Sequence, residues 1–113
     1  MMAVEITDKE LRIEINTNDQ DTFSFPIQGV LDCIILNTNQ KIQIIIQSEL
    51  GYDILTRPEI EGVNYLVPRA RTTTPTEDLR DSPNFEPFNL NEKLELIIIG
   101  PNNTEVSLIF RLK

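Results

Sequence analysis

Apolar residues in this chain alternate with polar ones in steps of two, and no stretch sustains the 3.6-residue apolar period of a helix. A period of two is that of a β-strand, whose side chains point to opposite faces in turn. Leu11-Arg12-Ile13-Glu14-Ile15 alternates strictly and predicts a half-buried strand with Leu11, Ile13 and Ile15 inward. Thr22-Phe23-Ser24-Phe25 alternates again. Pro26 then confines that strand to an edge or an end, because proline has no N–H to donate to a ladder. Residues 30–36 and 41–47 are strand-like runs separated by Asn37-Thr38-Asn39, a turn composition, and the two are expected to form a hairpin. Residues 51–55 and 62–67 are shorter strand candidates, closed by Arg57-Pro58 and by Pro68.

The C-terminal stretch carries the clearest pattern. Leu94, Leu96 and Ile98 alternate with Glu95, Ile97 and Ile99, and Val106, Leu108, Phe110 and Leu112 alternate with Ser107, Ile109 and Arg111. Gly100-Pro101-Asn102-Asn103 between them fits a tight turn, with proline fixing φ at its second position and asparagine tolerating the left-handed region. These residues predict a β-hairpin in the middle of a sheet. Residues 69–89 differ from the rest: Pro83 and Pro87 exclude a helix across them, and the threonine-rich start through Pro75 has no apolar period. The expected architecture is all-β, an antiparallel β-sandwich or small barrel of about seven short strands. A long Pro/Thr-rich loop at 69–89 precedes the C-terminal hairpin, within a single domain spanning 1–113.

Isoleucine dominates the hydrophobic set, which suits strands because β-branched side chains pack well on a pleated surface. At 113 residues the chain needs neither disulfide nor metal to fold, and its one cysteine cannot form an intrachain bridge. There is no basic region followed by an apolar core at the N-terminus and no membrane-length apolar run, so synthesis in a cytoplasm without membrane insertion is expected. The net charge of −8 opposes binding to nucleic acid, which relies on cations to displace phosphate counterions. The charge is uneven. Residues 1–50 carry three cations against eight acids, whereas 57–80 balance Arg57, Arg69, Arg71 and Arg80 against Glu59, Glu61, Glu77 and Asp78. Those central arginines either belong to a mixed solvated surface or pair with an acidic neighbour.

Residue types that carry chemistry are scarce. With no histidine, the commonest general base, metal ligand and nucleophile partner is missing, and no enzymatic activity, cofactor or metal is expected. Cys33 lies in an apolar run with no nearby cation to stabilise a thiolate, so a small hydrophobe is expected there. Asn16, Asn18, Asp19 and Asp21 resemble a calcium loop, but Asp21 stands where that loop needs glycine and Ile27 where it needs glutamate; a polar turn is expected. Glu77 and Asp81 could pair as in a glycosidase, yet no aromatic platform accompanies them, and no small-molecule substrate is expected.

What remains is surface. Opposite the inward side chains of the C-terminal strands stand Ile97, Ile99 and Ile109, where a solvated face calls for polar residues, and Ile45 repeats the oddity between Gln43 and Gln47. They are covered either by the long loop and sandwich packing or by a protein partner. The loop, with Arg69, Arg71, Arg80, Phe85 and Phe88, is expected to make contacts outside or at the margin of its own core. These arginines and phenylalanines, with Ile97, Ile99 and Ile109, are the candidate interface residues.

The strand end Tyr65-Leu66-Val67-Pro68-Arg69, the Pro/Thr loop, Phe88-Asn89-Leu90-Asn91-Glu92-Lys93-Leu94, and the close through Asn103-Thr104-Glu105-Val106 together resemble the small β-rich structural proteins of tailed-phage virions. The resemblance covers roughly residues 22–113 and is one of overall pattern, with no diagnostic motif. It implies a non-enzymatic virion component, in head decoration, a connector or a tail-associated subunit, whose partners are other virion proteins or copies of itself. The alternatives are a monomeric cytoplasmic module that binds a host factor and a carbohydrate-binding sandwich. The last is opposed by the absence of tryptophan.

Overall fold

The computed structural model describes residues 2–7, 9–17, 19–72 and 84–113, with the side chains of 2, 3, 70–72, 84 and 85 left out. Among these residues every regular element is a strand: β1 (Met2–Ile6), β2 (Glu10–Thr17), β3 (Gln20–Ser48), β4 (Asp53–Leu66), β5 (Ala70–Thr72), β6 (Asn84–Glu86), β7 (Asn89–Ile99) and β8 (Thr104–Leu112). Six of them form one antiparallel sheet, and β5 and β6 form a separate two-stranded ribbon. The all-β antiparallel class is as expected.

The sheet folds over on itself because β3 is 29 residues long and bends. Its first part, Gln20 to Val30, pairs with Ile99 to Asn89 of β7. Its last part, Gln43 to Ser48, pairs with Ile99 to Leu94 along the opposite edge of that same strand. Between them, Leu31 to Thr38 leave β7 and lie between β8 and the end of β4. One layer therefore runs β1, β2, β8, the middle of β3 and the end of β4. The other runs the start of β3, β7, the end of β3 and the start of β4.

The inward positions of both layers meet in one core, where Leu11, Ile13, Leu31, Ile34, Leu36 and Leu108 face Ile44, Ile46, Leu94, Leu96 and Ile98. Phe25 of the second layer meets Phe110 of the first edge-to-face, with ring centroids 5.3 Å apart. This burial supplies the main driving force, roughly 25 cal/mol per Å² of apolar surface removed from water.

Both expected hairpins are corrected. Residues 30–36 and 41–47 do not pair with each other; they are successive parts of β3 in different layers. Asn37-Thr38-Asn39 is the corner between them. There the ladder to β4 slips between Thr38 and Ile42, and side chains replace the lost partners. The Thr38 hydroxyl donates to the Gln40 carbonyl at 2.7 Å, and the Asn39 side-chain oxygen accepts from the Glu105 N–H at 3.1 Å. Opposite Thr38, Gly62 bends β4 with φ of 81°, a conformation that disfavours any residue with a Cβ. The candidate strands at 51–55 and 62–67 are likewise parts of one strand, β4.

At the C-terminus the two strands and the turn lie where expected, and Asn103 adopts the left-handed conformation at φ 63°. However, among the described residues β7 pairs only with β3, and β8 pairs with β2 and β3. The turn hydrogen-bonds to the β2–β3 turn: Gly100 N–H donates to the Asp19 carbonyl at 2.8 Å and Asn103 N–H to the Thr17 carbonyl at 2.9 Å. Thr17 and Thr104, both fully buried, direct their hydroxyls to the Pro101 carbonyl. The turn is a crossing between layers, capped by these bonds. Pro26 sits as expected on an edge, in the part of β3 whose ladder runs only to β7.

Candidate interaction surface

The register determines which residues share each outer face. On the first layer, Tyr65, Ile35, Ile109, Arg12 and Glu5 form a single row of cross-strand neighbours over five strands. On the second layer the corresponding row is Thr22, Ile97, Ile45 and Thr56. Ile97 and Ile99 thus lie on one outside face and Ile109 on the other. The three do not make one patch, because β7 and β8 belong to different layers. Each is half-buried by neighbouring side chains. Around Ile97 the cover includes the hydrogen bond from Gln47 to Glu95 at 3.1 Å.

The remaining sequence candidates are dispersed. The Arg69 guanidinium is held by its own fold, donating to the backbone carbonyls of Asp32 at 3.0 Å and Pro68 at 2.8 Å. Phe88 belongs to the core and stacks on Tyr52, with planes 4° apart and centroids separated by 5.9 Å. Arg71 and Phe85 are register neighbours in the β5–β6 ribbon, and their side chains, like all of Arg80, lie outside the described residues. So do Glu77 and Asp81. Within the described residues, the polar turn at 16–21 gathers no group of three or more Asp, Glu or Cys able to hold a metal. No helix is long and apolar enough to cross a membrane among these residues.

The most exposed apolar strip was not among the sequence candidates. Val63 and Tyr65 project from the outside of β4, and Val67 from just past its end, with relative exposures of 63%, 71% and 58%. In this stretch β4 pairs only with β3, so its other edge is unpaired among the described residues. Leu66 turns into the core from the same stretch, with Asn64 half-buried beside it. The signal was present in the sequence: Val63, Tyr65 and Val67 make one alternating face of this run wholly apolar, while the inward Leu66 lies on the other. Ion pairs bracket the strip, Lys41 with Glu59 at 2.9 Å at one end and Asp32 with Arg69 and Lys113 at 4.0 and 3.9 Å at the other. The hydrogen bond and charge of Glu59 hold the Lys41 ammonium above its ordinary pKa.

A second polar cluster closes the turn after β3. Ser48 and Tyr52 donate to the two carboxylate oxygens of Glu92, and the Leu50 N–H donates back to the Ser48 hydroxyl at 3.0 Å. Both oxygens of Glu92 are therefore engaged in holding the turn to β7. Partial burial against Phe88, reinforced by the bond to Glu92, raises the Tyr52 phenol above its ordinary value of 10.0. A raised pKa in the folded state means that this group stabilises the fold fully below the ordinary value. That contribution is lost as pH climbs through the higher folded value. In a Tyr65→Phe background, where Tyr52 is the one remaining tyrosine, tyrosinate absorbance should reach its midpoint above pH 10.0. Glu92→Gln should lower that midpoint. No change with Glu92→Gln would assign the shift to burial alone.

Comparison with protein-family models, with curated proteins and with solved structures finds no match to this chain.

Proposed function

We propose that this chain is a non-enzymatic structural protein of a tailed-phage particle that works through protein–protein contacts, in head decoration or in head–tail assembly. The observation that carries the contact role is the strip of Val63, Tyr65 and Val67 along a strand edge that is unpaired among the described residues. An exposed edge offers unpaired N–H and C=O groups to another chain, and apolar side chains along it gain from being covered. Tyrosine suits such a position because its ring gives a large contact area for few rotatable bonds. The placement in a virion is supported by the resemblance of residues 22–113 to that class. The net charge of −8 agrees with a position away from packaged DNA. In this reading the chain is made in the host cytoplasm and ends in the particle, with other virion proteins or copies of itself as partners.

An antibody raised against the chain and applied to density-gradient fractions of particles from the expressing cells tests this. The expected result is co-sedimentation with intact particles in fixed proportion to the major capsid protein. Recovery in the soluble fraction alone overturns the virion role and leaves a cytoplasmic protein-binding module.

A further inference from the structure

We infer that the exposed end of β4 pairs antiparallel with the same segment of a second copy of this chain, about a two-fold axis at Asn64. This rests on the contact role proposed above and names the partner.

The first argument is a comparison of the free edges. Proteins blunt such edges with proline, charge, bulges or short length. Among the described residues, the start of β3 has Pro26 at its middle, and the start of β4 has Arg57-Pro58-Glu59. The third edge, β1, is five residues long and includes Glu5. From Gly62 to Val67 there is no proline and no charge, and the protecting residues Glu61 and Pro68 stand just outside. The unprotected stretch also carries Val63, Tyr65 and Val67 exposed together, whereas the short β1 edge exposes Val4 and Ile6 with the charge of Glu5 between them.

The second argument is the fit of this segment to itself. With Asn64 on the axis, Val63 of one copy lies opposite Tyr65 of the other, and Gly62 opposite Leu66. Tyr65 against Val63 is an aromatic–β-branched pair, a favourable combination for cross-strand neighbours. The Asn64 carboxamide donates one N–H to the Glu61 carbonyl of its own chain at 3.0 Å and keeps its second N–H and its oxygen for the other copy's Asn64 across the axis. Moving the axis to Tyr65 brings Pro68 against Gly62 and breaks the ladder; moving it to Val63 sets Glu61 against Tyr65. The Asn64 register also brings the Arg69–Asp32 pair of each copy towards the Lys41–Glu59 pair of the other, so each end meets charges of both signs. The result is a sheet continuous through both copies, β1-β2-β8-β3-β4 followed by the same order reversed. Such a short edge is at the small end of stable interfaces, roughly 1,200 Å² or less, so a micromolar dimer is expected.

Sedimentation velocity of the wild type across micromolar concentrations should show a monomer–dimer equilibrium. Tyr65→Lys should move its midpoint to a concentration higher by about ten-fold or more, as for a central aromatic anchor. In a Cys33→Ser background, Asn64→Cys should oxidise to a covalent dimer, whereas Val67→Cys, displaced from the axis, should not. A wild type that stays monomeric overturns the inference; co-sedimentation with particles would then preserve the virion role through a different partner. A dimer indifferent to Tyr65→Lys and not trapped by Asn64→Cys places the contact on another surface and equally overturns it. Should Asn64→Cys fail to fold, the Tyr65→Lys comparison decides.

Discussion

Phe110→Ala lowers the free energy of unfolding by about 3–5 kcal/mol, a large part of what holds a small domain together. Phe110 is fully buried on β8 between Leu11 of β2 and Ile34 of β3. Its ring also crosses to the other layer and meets Phe25 at 61° between planes. Alanine removes the largest fully buried side chain and leaves a cavity between two hydrogen-bonded layers, neither of which can close on it without shifting its register. Chemical denaturation should show the midpoint fall with an unchanged slope, meaning lost stability without a change in compactness. A double-mutant cycle with Phe25→Ala should return about 0.5–1.5 kcal/mol for the ring pair itself. A loss under about 1 kcal/mol for Phe110→Ala would mean that the layers are held elsewhere, contrary to the burial seen here.

Gly100→Ala should cost about 1–3 kcal/mol through crowding. A Cβ at this position would come within 2.7 Å of the Ile42 Cγ2, a branch fixed directly to Cβ that cannot swing away like the end of a long chain. The Lys41 carbonyl, at 3.7 Å, limits retreat on the backbone side. Gly100 has no left-handed φ, so the requirement is for smallness: β7 must end where β3 turns its corner. Ile42→Ala removes the obstructing methyl at the cost of a cavity. The double variant should therefore be more stable than the sum of the two single losses by about 1 kcal/mol. Strict additivity, measured by the same denaturation, would place the effect of Gly100→Ala in the turn and not in this contact.

Part of this fold was legible in the residues. The inward sets Leu11, Ile13, Ile15 and Val106, Leu108, Phe110 are buried as their alternation predicts, and Asn103 holds the left-handed turn position expected of it. The edge position of Pro26 followed from its missing N–H. The partner of each strand was not legible. Asn37-Thr38-Asn39 and Gly100-Pro101-Asn102-Asn103 have the composition of hairpin turns, but the same side-chain hydrogen bonds and left-handed tolerance serve a corner between layers. For the same reason the isoleucine faces are not one: Ile97 and Ile109 flank the Gly100–Asn103 turn in sequence and are on opposite outsides of the sandwich. Phe88, expected at a margin or beyond it, is buried at the edge of the core and stacks on Tyr52, a contact between distant parts of the chain that no local pattern signals.

The sequence by itself determined that this chain makes strands and which side of each strand is apolar, since alternation at a period of two is a property of neighbours along the backbone. Only the tertiary structure decided that β3 and β4 serve both layers, that β7 lies between two parts of β3, and that the end of β4 keeps an edge unpaired among the described residues. The physical reason is that ladder hydrogen bonds join backbone groups common to every residue. Pairing is therefore selected by how all the apolar faces are buried together, and no single segment carries that information.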